Sequence, residues 1–478
     1  MKTTASLVLM AAVARALVAT TSEPSLSQIR AAAATALPES PVSNVKGLAF
    51  DRFYQVWLEN TAYSASAADP NMQWLASQGI LLTNYHGVTH PSEPNYCAAA
   101  GGDTFGMDWD QWFQVPANIS SVPDLLDTKG ISWAEYQEHL PYAGFQGFNY
   151  SNQETFKDDY VRRHNPLVLY NAVVADDTRT RQIKNSTGFE EDLANKKLPQ
   201  WAFITPNVTN DAHDTNITFG AKWERHWMSA LLQNDYFMKD TLVLLTFDED
   251  MYDISDKSAT FDQGNRVYSI LLGGAIPDHL KGTTDDTFYT HYSTIASVSA
   301  NWGLPSLGRW DCGANIFEIV ANKTGYLNYD VDLTNLYLNY TYPGPLTTGI
   351  LEQYFGGATN LKTSPGSKWT WPVPNVDAKC SAGHGVLDAV KKTYSGMKAT
   401  YNYTSPYPWD SVSGYNLNVT ATRKSANTTT TTTTNSSSSS SGSAATETLP
   451  VLSGTSRGTG PSFGAMLVAV VALFAFQQ

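Results

Sequence analysis

Four short polar segments of this sequence could do chemistry, and each follows an apolar stretch. Glu59-Asn60 comes directly after Val56-Trp57-Leu58. A carboxylate and an amide oxygen are hard donors suited to a divalent metal. The same pair is equally at home in a turn after a strand. The segment 86–96 holds His90, Ser92, Asn95 and Tyr96, then runs into the small residues 98–102. A hydroxyl in a short loop that opens a helix lies beside backbone N–H groups that can take a phosphate. Serine is a poor nucleophile without a base or a metal, and the plain alternative is a Pro-rich turn with a capping serine. The segment 205–214 offers Asn207, Asp211, His213 and Asp214 as ligands. Otherwise it is a polar, glycosylated loop, and a glycan on Asn207 would contradict a site role for that residue. Asp248-Glu249-Asp250 closes the most apolar run of the chain. Three adjacent carboxylates repel one another, and a divalent cation neutralises them economically; failing that, they form a solvated turn. His291 follows within 289–293, before an apolar helix that ends near Asn301.

These clusters need a scaffold that gathers them. Apolar runs predict strands at 47–58, 131–136, 201–205, 241–247 and 267–272, alternating with helical stretches. The run 241–247 is almost continuously apolar, as suits a strand buried on both faces of a largely parallel sheet. Trp223, Trp227 and Leu231 fall at i, i+4 and i+8, the spacing of a helix face to lay on that sheet. The alternation predicts an α/β sandwich with helices on both sides. Ligand sites in such sheets lie outside the carboxyl ends of the strands, so the four polar clusters are expected to converge. Residues 323–424 are rich in Tyr, Asn, Pro and Gly. They read as an irregular extension packed on a catalytic domain of 20–322, with a substrate-shaping lid as the alternative.

Composition narrows the partners. The chain has 478 residues and a net charge of −13, which disfavours nucleic acid and anionic membranes. Lys2, a short apolar run and small residues near Ala19 read as a signal peptide over 1–19, although Arg15 interrupts the pattern. Glycosylation sequons at Asn118, Asn149, Asn185, Asn207, Asn216, Asn322, Asn339, Asn402, Asn418, Asn427 and Asn435 agree with passage through the secretory lumen. In that oxidising compartment Cys312 and Cys380 could pair, with Cys97 buried and free; three cysteines leave one over whichever pair forms. The Ser/Thr tract within 425–453 reads as an O-glycosylated stalk. Small residues at Ser453 and Gly454, a polar spacer and a terminal apolar tail over 454–478 match a GPI-attachment signal. A C-terminal membrane span is the alternative. The expected location is therefore the cell surface, tethered to the outer membrane leaflet or the cell wall.

Taken together, the segments resemble the secreted fungal acid phosphatases of the phosphoesterase family, which includes phospholipases C and belongs to the alkaline phosphatase superfamily. The matching stretches are 56–60, 90–96, 131–137, 163–166, 205–207 through 213–214, 246–249, 290–293 and 301–305, in the family's order. The resemblance implies an alkaline-phosphatase-like α/β sandwich. It implies one or two divalent metal ions held by Glu59, Asn60, Ser92, Asp248 and Glu249. Ser92 resembles the threonine that attacks phosphorus in related nucleotide pyrophosphatases. His90, His213 and His291 become candidates for proton transfer, and Asn95, His164 and Asn207 for holding the phosphate. The expected substrates are small phosphate monoesters, cleaved through a phosphoserine. A phospholipase C or other phosphodiesterase would share this site, and a catalytically dead, GPI-anchored wall protein would share the stalk.

Overall fold

The computed structural model describes residues 22–251, 264–350, 369–380, 383–409 and 415–425. The expected signal segment 1–19 and the tail from 426 onward, with Ser453 and Gly454, lie outside the described residues.

A nine-stranded sheet forms the centre. Its strands are β1 (Arg52–Leu58), β2 (Ile80–His86), β3 (Trp133–Gln137), β6 (Ile183–Asn185), β7 (Trp201–Thr205), β8 (Thr241–Phe247), β9 (Arg266–Leu272), β10 (Thr283–Asp285) and β11 (Tyr289–Thr290). The order is β10-β2-β9-β8-β1-β7-β3-β6, with β11 also on β2. Only β9 runs against its neighbours β2 and β8; the other pairings are parallel. Two small hairpin-like pairs stand apart: β4 (Asn149–Ser151) with β5 (Asp158–Val161), and β12 (Tyr329–Val331) with β13 (Ala421–Arg423). The α/β architecture expected from the alternation of strands and helices is thus present.

Every residue of β8 is buried, and so are six of the seven in β1. A strand covered on both faces has no solvent side, so an uninterrupted apolar run is what it needs. Register then fixes the functional edge. β1 and β8 pair with Leu58 opposite Phe247, so Glu59 and Asp248 leave the sheet side by side. Ile204 of β7 pairs with Val56, which carries the 206–214 loop over the same edge. There the Glu59 N–H donates to the Asp211 carbonyl at 2.8 Å. Thr290 pairs with His86, so His291 and the loop leading to Ser92 emerge together.

The helix Ile217–Leu231 refines one expectation. Its buried residues are Gly220, Ala221, Glu224, Met228 and Leu231. Trp223 and Trp227 are half-buried and stack on each other, with ring centroids 5.8 Å apart. The tryptophans lie at the margin of the buried stripe, where Trp227 packs on Phe189, with ring centroids 5.5 Å apart, and the small residues let the helix approach the 210–212 loop closely. At Gly220 a Cβ would already come within 3.0 Å of Ala212 Cβ.

The extension packs on the sandwich through buried acids. Asp103 accepts from the hydroxyls of Tyr342 and Tyr401. Asp108 accepts from the N–H groups of Thr348 and Gly349. Cys312 and Cys380 form a disulfide 68 residues apart, and Cys97 is buried and free. Closing a loop of that length restricts the unfolded chain by about 4 kcal/mol. Cys312→Ser is therefore expected to lower unfolding free energy by about that amount in urea titrations; a loss under about 1 kcal/mol would show the extension is held by its hydrogen bonds alone.

Candidate active site

Glu59, at the end of β1, is fully buried. Its Oε2 accepts from Ser92 Oγ at 3.1 Å and its Oε1 from Tyr96 OH at 2.5 Å. Ser92 opens the ten-residue helix Ser92–Gly101, and Tyr96 lies one turn further on the same face. The positive end of the helix dipole thus faces the Ser92 oxygen, where negative charge would be favoured. Beside it, Asn60 holds φ at 37°, a left-handed backbone that Asn adopts more readily than most residues. The Asn60 N–H donates to Asp248 Oδ1 at 3.1 Å. Asp248 also meets the Ser92 hydroxyl. Glu59, Asn60, Ser92 and Asp248 are therefore gathered as the sequence pattern suggested.

Glu249 turns slightly aside. Its Oε2 lies 2.9 Å from His90 Nδ1 and accepts from Asn95 Nδ2 at 3.2 Å. Asn95 is a frame rather than a phosphate holder. Its Oδ1 accepts from the N–H groups of Val88 and Thr89, and its Nδ2 donates to the carbonyls of Thr89 and Pro91. Removing a buried partner leaves each stranded N–H at a cost of about 1–3 kcal/mol. Asn95→Ala is expected to cost about 3 kcal/mol of stability in denaturant titrations; a change below about 1 kcal/mol would mean the 87–91 loop is held by other contacts.

The histidines divide in a way the sequence did not indicate. His164 is buried with Nε2 3.3 Å from Glu59 Oε1 and Nδ1 3.4 Å from Asp211 Oδ2. It faces carboxylates, not a substrate. With Glu59 and His213 it forms a group whose ligand atoms lie within 4.8 Å of one another, close enough to share a metal ion. His291 packs at a tilt against Trp57, and its Nε2 meets the Asp248 carbonyl at 2.5 Å while Nδ1 meets Tyr85 OH at 3.3 Å. Both nitrogens are engaged, so it buttresses Asp248 and has no route to a leaving group. Asn207 caps a turn, accepting from the N–H groups of Thr209 and Asn210, with Nδ2 on His139. It too is removed from phosphate binding. Asn339, another sequon asparagine, is buried and bonds His90.

Four carboxylates, those of Glu59, Asp211, Asp248 and Glu249, are buried around this point. Burial is the first cause that raises each above the ordinary range; for Glu59 the neighbouring Asp248 and Asp211 charges add to it. Asp248 is pushed up to about 8 by burial and then by the Glu249 charge. Asn60 Oδ1, Asp211 Oδ2, Asp248 Oδ2 and both His164 nitrogens have no hydrogen-bond partner among the described residues. Buried polar atoms are rarely left so. An oxygen-rich, negatively charged pocket with unspent lone pairs fits a divalent cation. Glu59 is common to the oxygen set (Asn60, Ser92, Asp248) and to the imidazole set (His164, His213), so the residues present fit either one ion or two.

Sequence reasoning offered Asp211 as a ligand but gave Tyr96 and Arg163 no role in this centre. Arg163 donates from its guanidinium to His213 Nε2 at 3.2 Å, while His213 Nδ1 lies 2.8 Å from Asp214 Oδ1. The i, i+4 spacing of Ser92 and Tyr96 was the available signal for the tyrosine; Asp211 stood in the polar loop after β7.

The centre opens into a cleft of ≈ 520 Å³, where Asn60, His90, His213 and Glu249 form the polar end. A mostly parallel sheet thus gathers a buried hydroxyl, carboxylates and imidazoles at its carboxyl edge, where open α/β sheets bind their ligands. The chain belongs to the Phosphoesterase family, whose profile matches residues 43–305. It is 68% identical over 407 residues to an acid phosphatase of Aspergillus fumigatus, covering 85% of this chain and 86% of that one. It is 57% identical over 415 residues to a phosphate-repressible acid phosphatase of Penicillium chrysogenum, covering 86% and 94%. A more distant relative, at 28% identity over 50% of this chain and 71% of its own, is a phosphatidylinositol-3-phosphatase of Mycobacterium tuberculosis.

Proposed function

We propose that this chain is a secreted acid phosphatase that hydrolyses phosphate monoesters through a Ser92 nucleophile and a phosphoserine intermediate. The observation that carries the reading is Ser92 Oγ at 3.1 Å from Glu59 Oε2, at a helix start, among four buried carboxylates. The acid phosphatases of Aspergillus and Penicillium support the activity and the acidic range.

A divalent cation held by Glu59, Asn60, Ser92 and Asp248, with Glu249 or His164 and His213 completing the shell, would acidify the serine hydroxyl and offset phosphate charge. Ser92 Oγ forms the bond to phosphorus as the bond to the alcohol oxygen breaks. Glu59 Oε2 stands as acceptor for the hydroxyl proton. Of the four histidines, His90 and His213 line the cleft; His213 Nε2 accepts from Arg163 and its Nδ1 meets Asp214, which leaves His90 as the group placed to protonate the departing oxygen. Burial holds His90 down at about 4, so it carries a proton only in acid, in line with an acid phosphatase. Water then cleaves the phosphoserine and restores Ser92.

Export by the 1–19 segment, tethering through 454–478 and a role in phosphate scavenging belong to the same proposal. They rest on the sequence pattern.

The test is to strip metal with a chelator and follow p-nitrophenyl phosphate beside its diester. Monoester turnover should vanish and return on adding back a divalent cation, with the diester at least about tenfold slower. A preferred diester would favour the phosphodiesterase reading. No hydrolysis after any cation would favour the inactive wall protein.

A further inference from the structure

The polar end of the cleft accounts for only part of its surface. The lining also includes the apolar residues Ala62, Ala65, Pro91, Trp109, Ile217 and Tyr340, two of them half-buried aromatic side chains. Trp109 comes from the segment after the Ser92 helix and Tyr340 from the C-terminal extension, so two distant parts of the chain supply the rings. The extension therefore shapes the cleft as well as packing on the sandwich. A volume of ≈ 520 Å³ lies in the range that encloses a whole small molecule, far more than a phosphoryl group needs. Among the described residues no Lys or Arg lines the cleft. Arg163 donates to His213 Nε2 but does not itself line the cleft. The chain as a whole carries a charge of −13.

We propose that this cleft selects phosphate monoesters whose alcohol carries a flat, apolar group, and disfavours substrates bearing further phosphates. The inference rests on the phosphatase reading of Ser92 and names the substrate class of that site. A flat apolar leaving group would be removed from water against Trp109 and Tyr340, where ring contacts add to the area buried. A second phosphate on the same molecule would be desolvated beside Glu249 with no fixed cation to pair it. Inositol polyphosphates and nucleoside triphosphates are therefore poor candidates.

The test compares ethyl phosphate with 2-phenylethyl phosphate. Both leave as primary alkoxides of similar reactivity, so a difference reports the ring's environment. With the metal-loaded wild type, KM for the phenylethyl ester should be about tenfold to a hundredfold lower. Trp109→Ala and Tyr340→Ala should each bring that ratio below about threefold, while Trp109→Phe and Tyr340→Phe keep most of it. Near-UV circular dichroism identifies any variant that fails to fold, and the Phe variants then carry the comparison. Inositol hexakisphosphate should fall at or below ethyl phosphate in kcat/KM. Equal KM values for the two esters, a ratio unmoved in folded Ala variants, or preference for the hexakisphosphate would each overturn the proposal. Binding of 2-phenylethylphosphonate and ethylphosphonate, followed by calorimetry, separates the two levels of inference. Tighter phenylethyl binding without turnover of either ester would sink the phosphatase reading and leave the subsite standing; equal binding would sink the subsite whatever the activity.

Discussion

Replacing Ser92 by Ala is expected to lower monoester turnover by roughly a thousandfold or more. The reason is positional. Ser92 Oγ is the hydroxyl that meets both Glu59 and Asp248 at the head of a helix. The nearby Thr89 hydroxyl is turned to the His90 carbonyl and cannot substitute. The fold should tolerate the change, since one hydrogen bond is lost and stability should fall by only about 1 kcal/mol. Steady-state kinetics with a urea titration on the same preparation makes the comparison. A phosphoserine trapped by acid quench from the wild type, and missing from Ser92→Ala, would assign the covalent step. Turnover within about tenfold of wild type would sink the nucleophile assignment.

The second large effect is a pH-dependent stabilisation by metal. Carboxyls whose pKa is raised in the folded state hold protons that the unfolded chain has already released. Their contribution is complete below the unfolded pKa and is lost as pH rises through the folded value. Asp248, Glu135 and Glu224 are each pushed up to about 8, burial being the first cause. Glu59, Asp211 and Glu249 move the same way. Buried histidines act in the opposite sense: burial lowers His90 to about 4 and His291 to about 3. They add stability as pH rises, but only up to their unfolded value near 6.5. Between pH 6.5 and 8 the carboxyls set the slope, and His139, raised by its hydrogen bond to Asp159, acts in the same sense. The metal-free protein is therefore expected to lose thermal stability across that window, each carboxyl of pKa about 8 contributing up to about 1.4 kcal/mol per pH unit.

A divalent cation replaces the protons on the site carboxyls, so the rise in Tm on adding it should grow from pH 6.5 to 8. Proton release should be visible by calorimetry in buffers of different ionisation enthalpy. Asp248→Asn should flatten the metal-free slope and weaken the cation's effect. A metal-free Tm that climbs with pH over this window would show that these carboxyls are ionised and paired in some other way.

Much of the scaffold was legible because buried parallel strands leave a plain trace. Strands 201–205 and 241–247 appear with their expected limits. So was the oxygen-rich part of the site, because Glu59-Asn60 and Asp248-Glu249 follow the two central strands directly and the register of β1 with β8 does the rest. In the helix 217–231 Leu231 is buried as expected, and the tryptophans sit at the margin of the buried face. Its tryptophans carry the strongest apolar signal, yet Gly220 and Ala221 decide the close packing, and small residues add little to periodicity.

The sequence by itself determined the α/β layering, the order of the polar clusters and the presence of a hydroxyl beside hard oxygen donors. These follow from residue type and from spacing along one strand or one helical turn. The tertiary structure alone decided the division among the histidines. His164 points at Glu59 and Asp211, His291 at the Asp248 backbone, and only His90 and His213 reach the cleft. A histidine's role depends on which groups meet its two ring nitrogens, and those partners lie 43 or more residues away in the case of His291 and Asp248. The same holds for Tyr340, which the chain brings to the cleft from the extension. Such pairings are set by packing between elements, which no local pattern encodes.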